Sequence, residues 1–226
     1  MSYSLQLAFN YVKFNFYFVY LVQHKLKLFY KFKIEVITLS FFVFLSRFLQ
    51  FMYEEKVILV NENDEQIGLM PKLEAHEKAV LHRAFSVFVL NSKNEIMLQQ
   101  RAQHKYHSPL LWTNTCCSHQ RDGETNIEAG TRRLYEEMGF KTEIKELFHF
   151  IYKAPFDNGL TEHELDHVMI GYYNEEPIIN KDEVESWKWV LIENVKKDMS
   201  QNPDIYTVWF KIIFDKFYHH LEDYKI

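Results

Sequence analysis

The chain has 226 residues, of which 47% are apolar, enough for one domain with a sizeable core and an appendage. A formal charge of −5 argues against nucleic acid as a partner. The two cysteines, Cys116 and Cys117, are adjacent and poorly placed for a structural bridge, which points to a reducing cytoplasm rather than secretion.

Residues 1–51 differ in kind from the rest of the chain. They contain no Gly, Pro, Asp or Trp, sixteen Phe or Tyr, six Lys or Arg and one Glu, so residues 52–226 carry a balance of −10. An acidic body that takes an anionic ligand must gather its cations locally. Two aromatic-rich uncharged runs, 14–24 and 36–46, hold eleven residues each, against roughly 20 needed to span a bilayer. No small-residue cleavage site follows a compact apolar core, so a signal peptide is also a poor fit. The composition matches A/T-rich codons, and the expectation is a start-site artefact or dispensable extension, with Met52 as the natural first residue. A membrane-surface segment is the alternative.

From Met52 the pattern becomes globular. Residues 56–60 (KVILV) and 66–70 read as strands around a turn at 61–64. The polar stretch 72–82 holds two imidazoles six apart, His76 and His82, which by themselves read as surface residues. Residues 84–90 (AFSVFVL) form a buried-type strand, 91–94 a hairpin turn and 95–101 the return strand, with Arg101 and Lys105 at its exit as an ordinary solvated pair. The run WTNTCCSH, 112–119, is β-prone, and two-residue spacing points Cys117 and His119 the same way. Thr125 caps a helix, Glu128 completes a capping box, and Gly139 closes it. A strand at 143–152 and a turn at 155–159 lead into TEHELDH, 161–167, which continues to 173. Extended backbone sends Glu162 and Glu164 to one face and His163 to the other. Two carboxylates so aimed repel unless a cation or proton lies between them; the plainer reading is an exposed acidic edge. Residues 186–191 (SWKWVL) form a strand with Trp187 and Trp189 as packing residues, and 192–199 a short helix. A final helix from Tyr206 to about Leu221 carries Trp209, Ile212, Ile213, Phe217 and Leu221 on one core-type stripe.

Aligned on Gly139, residues 118–139 resemble a degraded Nudix box. Ser118 falls at its first Gly, Glu124 at its first Glu, and Arg132, Leu134, Glu136, Glu137 and Gly139 match. Arg133 departs: Nudix hydrolases carry there a Glu that holds catalytic magnesium. The upstream WTNTCCSH resembles type I isopentenyl-diphosphate isomerases, and the likeness runs from about Lys56 to Trp209. It implies an α/β (α+β) fold over 52–226, a Nudix-like α/β/α sandwich with a mixed β-sheet flanked by helices, with proton transfer in place of hydrolysis. By the same resemblance, His76, His82, His119, Glu162 and Glu164 hold one divalent transition metal, Mn or Zn. Glu164 donates a proton with Tyr152 as relay, Cys117 removes one from the opposite face, and Trp209 shields the cationic carbon. Magnesium joins Glu137 to the substrate diphosphate, which Lys72, Arg101, Lys105 and Ser118 grip. Nearby cations are expected to favour a Cys117 thiolate.

No flavin is expected, and no Gly-rich dinucleotide loop is present. The expected partner is a small isoprenoid diphosphate, with membrane contact only through residues 1–51, and the expected state a monomer or weak dimer in the cytoplasm. Gln120 departs from the Pro that usually follows His119. Three rivals compete. A Nudix hydrolase of a nucleoside diphosphate derivative is opposed by Arg133. A non-catalytic Nudix-fold binding module gives no reason for Cys117, His119, Glu162 and Glu164 together. A cysteine hydrolase using Cys117 and His119 is cramped within one strand.

Overall fold

A computed structural model describes residue 25 and residues 55–105, 107–156 and 158–222. The expectations for residues 1–51 and for Met52 lie outside the described residues, Lys25 excepted, as do the side chains of Phe217 and Leu221. Among the described residues no helix is long and apolar enough to cross a membrane.

The Asn61 carboxamide accepts from the Asn63 and Glu65 amides, folding the chain back between β1 (Lys56–Val60) and β2 (Gln66–Pro71). A short helix, α1 (Lys72–Glu77), follows; the polar sequence there carried no helical signal. Then come β3 (His82–Leu90), β4 (Glu95–Arg101), β5 (Trp112–Thr113) and β6 (Cys116–Ser118). The helix α2 (Asn126–Met138) has the expected capping box at Thr125 and Glu128, and ends at Gly139 with φ of 76°. Next are β7 (Ile144–Pro155), β8 (Thr161–Tyr172), β9 (Val184–Leu191), α3 (Ile192–Gln201), a 3-10 turn at Pro203–Ile205 and α4 (Val208–Glu222).

The sheet is mixed: β3 runs parallel to β8 from His82↔Glu164 to Leu90↔Tyr172, and its other pairings are antiparallel. Side-chain alternation sorts the core into two layers. Phe88 and Leu90 of β3, Ile96 and Leu98 of β4 and Val168 and Ile170 of β8 face Ile192, Tyr206, Phe210 and Ile213 from α3 to α4. Their odd-numbered neighbours Val87, Val89, Met97 and Met169 face Ala129, Leu134 and Met138 of α2. This is the expected helix–sheet–helix sandwich.

The sheet splits where the site lies. β3 and β4 pair at Leu90↔Ile96; beyond that point β6 pairs with β3 while β5 pairs with β4. The run 112–118, expected as one β stretch, is therefore two short strands, with Asn114 and Thr115 crossing between them. Both are buried and replace missing ladder bonds with side chains. Thr115 Oγ1 donates to the Met97 carbonyl at 2.7 Å and accepts from the Val89 amide at 2.9 Å, and Asn114 Nδ2 donates to the Cys116 carbonyl at 2.6 Å. Their hydrogen-bonding capacity is what lets the split persist in a buried region.

Candidate active site

Register explains the site. Cys117 lies opposite Ser86, and Glu164 lies beside His82. Tyr152 and Ala154 of β7 lie opposite Glu164 and Glu162. With a side-chain period of two, His82, Ser86, Cys117, His119, Tyr152, Glu162 and Glu164 share one face of the sheet. His76 joins them from α1, and Trp209 from α4. A single pocket is lined by Lys72, Ser86, Arg101, Lys105, Cys117, Ser118, His119, Arg133, Glu162, Glu164 and Trp209, with Phe85 and His107. Thus the two residues assigned to opposite ends of a proton transfer line one cavity.

The imidazoles are oriented by the backbone. His76 Nδ1 donates to the Lys72 carbonyl at 2.7 Å and His82 Nδ1 to the Val80 carbonyl at 2.8 Å, because a carbonyl can only accept. Their Nε2 atoms therefore face the carboxylates, His76 at 3.0 Å from Glu162 and His82 at 3.6 Å from Glu164. His119 Nε2 lies 2.9 Å from Glu164 Oε1, and the Tyr152 hydroxyl donates to Glu164 Oε2 at 2.5 Å. Ligand atoms of His76, His82, His119 and Glu164 lie within 4.8 Å of one another. Glu162 meets His76 in a second group that includes His107. Among the described residues, His82 Nε2, His119 Nδ1 and Glu162 Oε2 are buried without a well-aligned hydrogen bond. Imidazole lone pairs and carboxylates aimed together, with orphaned acceptors among them, fit a divalent cation.

Burial sets most of the protonation states. It pushes His119 down to about 4, against the opposing hydrogen bond to Glu164, and His107 down to about 2, aided by Arg101. His76 is also disfavoured as a cation by burial, but its contact with Glu162 prevails and raises it. Burial and the Glu164 charge raise Glu162; Glu164 itself, although buried, is held well below the usual carboxylate range by His119 and His82. Burial keeps Tyr152 a phenol and pushes the Cys117 thiol up to about 12. That reverses the expectation of a thiolate: Arg101 favours one, but burial outweighs it.

The cations are gathered at the mouth and each has a carboxylate or carbonyl partner. Lys72 lies 3.1 Å from Glu55, and Lys105 and Arg133 share Glu183. Arg101 donates to the Ser108 and His107 carbonyls, and its guanidinium stands 5.3 Å from the centroid of the Trp209 ring. Glu137 does not enter the histidine cluster. Its Oε1 accepts from Arg133 at 2.6 Å and its Oε2 from Gln99 at 2.8 Å, which places Arg133 between it and the pocket.

Arg133, His107, Gln99 and Glu183 are site residues that sequence reasoning did not assign. Arg133 registered only as a mismatch to the box, although its i, i+4 spacing to Glu137 was a usable signal. His107, a lone histidine in a loop, offered none.

Known proteins resemble this chain in sequence and in fold. The NUDIX domain family matches residues 80–210. The chain is 47% identical over 173 residues to Isopentenyl-diphosphate Delta-isomerase 2 of Photorhabdus laumondii, covering 76% of this chain and 98% of the relative. It is 45% identical over 170 residues to Isopentenyl-diphosphate Delta-isomerase of Pectobacterium atrosepticum, covering 75% and 95%. A solved structure from Deinococcus radiodurans superposes with a TM-score of 0.60 at 20% identity, covering 72% of this chain and 99% of that one, a likeness of fold. From the box helix, the split sheet and these two relatives together, the chain belongs to the isopentenyl-diphosphate Delta-isomerase family of the NUDIX superfamily.

Proposed function

We infer that this chain interconverts isopentenyl diphosphate and dimethylallyl diphosphate, adding a proton to one end of a three-carbon unit and removing one from the other. An unactivated alkene is a very weak base, so the site must deliver a proton and then shelter a tertiary carbocation from water. The observation that carries the reading is the joint presence of Cys117 and Glu164 in one pocket, with Tyr152 on Glu164 and four cations at the mouth.

The diphosphate is held by Lys72, Arg101, Lys105 and Ser118, with Arg133 added, through charge-assisted bonds to phosphate oxygens. That grip places the apolar tail between acid and base. The reactive form carries a proton on Glu164, although His119 and His82 favour its carboxylate in the resting pocket. Glu164 gives that proton to the terminal methylene carbon and is recharged through Tyr152, which passes on one proton as it takes up another and stays a phenol. Cys117 acts as the minor thiolate that Arg101 favours: it takes a proton from the carbon next to the diphosphate-bearing end, becoming a thiol as the double bond forms there. The Trp209 ring shields the cationic carbon, a contact of about 0.5–2 kcal/mol. His76, His82, His119, Glu162 and Glu164 would hold a manganese or zinc ion, which when bound relieves the carboxylate repulsion and makes protonated Glu164 a stronger acid. Magnesium would accompany the diphosphate. Glu137 would hold it if Arg133 turned from Glu137 to the phosphate oxygens.

Incubation with isopentenyl diphosphate in heavy water tests the reading. Deuterium should enter the dimethylallyl product with divalent metal present and not with chelator. Phosphate release from nucleotides, with no deuterium in the isoprenoid, would instead establish hydrolysis.

A further inference from the structure

The opposite face of β8 carries a second cluster that the isomerisation does not use. His149 of β7 and His167 of β8 are direct cross-strand partners, and their rings lie 5.4 Å apart. Glu146 is three residues before His149, an odd spacing that would normally send it to the other face. A bulge between Glu146 and Phe148 corrects this: Glu146 pairs with Met169 and Phe148 with Val168. Glu146, His149 and His167 therefore share the α2 face of the sheet, away from Glu162 and Glu164. Their ligand atoms lie within 4.8 Å of one another.

His167 is only 3% exposed, and carboxylates face both of its ring nitrogens. Its Nδ1 is 2.5 Å from Glu146 Oε1 and its Nε2 is 3.1 Å from Asp64 Oδ2. Those carboxylates are themselves fixed, Asp64 by Arg83 Nε at 2.7 Å and Glu146 by Asn126 Nδ2 at 3.0 Å. A neutral imidazole has one N–H, so it satisfies one carboxylate and turns a lone pair on the other. The Nε2 approach to Asp64 is close but not a well-aligned hydrogen bond, so Asp64 acts on the ring through its charge while Nδ1 faces Glu146 and His149. An imidazole whose far nitrogen is braced by a carboxylate is the arrangement that presents the near nitrogen to a metal.

We propose that Glu146, His149 and His167 form a second site for a divalent first-row transition ion, with Asp64 orienting His167 from behind. Two imidazoles and a carboxylate suit zinc and its neighbours rather than magnesium or calcium. Bonds of about 2.1 Å set ligand atoms roughly 3.4 Å apart in a tetrahedron, so Glu146 must draw back slightly from His167. Glu146 and His149 are exposed, so Glu146 can draw back by stretching its contact with Asn126 and solvent can reach the fourth position. The ion would staple β7 to β8 beside the start of α2. Its binding does not depend on the isomerase chemistry.

Equilibrium dialysis of the full chain against buffered Zn²⁺, followed by metal analysis, tests it. Wild type should retain one equivalent more than H149A or E146Q, with isomerase activity equal in all three. Both substitutions are at exposed positions, so folding is not at risk. On adding Zn²⁺, the His149 and His167 ring nitrogens should shift in ¹⁵N spectra of wild type, and the His167 shift should vanish in H149A. Equal zinc content in wild type and H149A overturns the proposal. So does a His167 ring that stays a doubly protonated imidazolium in the presence of zinc, since that would make the cluster an ion-pair clasp.

Discussion

The chemistry turns on two side chains. Cys117→Ala and Glu164→Gln should each lower the isomerisation rate by about 10²–10⁴-fold, the range for a positioned acid or base, with circular dichroism unchanged; activity near wild type would remove that residue from the reaction. Cys116 differs from its neighbour by packing. It is fully buried among Val87, Ala129 and Leu134, and Cys116→Ser should cost stability while keeping activity. Arg133 should behave as a binding residue. Removing its charged hydrogen bonds, worth about 1.5–3 kcal/mol, should raise KM for the diphosphate about ten- to hundredfold in Arg133→Gln, with a smaller change in kcat.

At the scale of elements, α2 must be held at both ends because it carries Arg133 to the pocket and Glu137 behind it. Its start depends on reciprocal bonds between Thr125 and Glu128, with Thr125 Oγ1 accepting from the Glu128 amide at 3.2 Å and Glu128 accepting from the Thr125 amide at 2.9 Å. Thr125→Ala should cost about 1 kcal/mol in denaturant unfolding. Its end depends on Gly139, where φ is 76° and an added Cβ would lie 2.3 Å from the Ile178 carbonyl oxygen. Gly139→Ala should therefore be worse, at about 1–3 kcal/mol from backbone strain with the steric contact added. If the two variants cost the same, the close approach of the Ile178 carbonyl is not a constraint on this turn.

For the molecule as a whole, charge clusters link stability to pH. Glu124 is held below the usual carboxylate range chiefly by Arg132. Glu183, although burial opposes its ionisation, is also held low by Arg133 and Lys105. A lowered carboxyl contributes stability that is fully present above the ordinary value of 4.5 and is lost as pH falls through the lowered one. Unfolding midpoints should therefore drop on acidification below that value, and less steeply in Glu183→Gln. Chelation should stop proton exchange into the substrate and lower the thermal midpoint, since a ligand that binds the folded state alone stabilises it. An unchanged midpoint would count against metal in the histidine–glutamate cluster.

Much of this protein was legible in the order of its residues. Capping chemistry marked both ends of α2, period-two alternation marked most strands, and WTNTCCSH with TEHELDH marked the isomerase likeness, because these signals are local and survive without the fold. Local pattern could not show that the 112–118 run breaks at Asn114 and Thr115, since the break exists to bridge the parting edges of β3 and β4, which lie elsewhere in the chain. Nor could it give the state of Cys117: the cations were readable, but the burial that outweighs them comes from distant segments. The pairing of Arg133 with Glu183, the closeness of His107 to His76, and the bulge that turns Glu146 toward His149 and His167 were likewise decided by tertiary packing. Each depends on strand register, and register is set by how whole faces of the sheet bury against the helices.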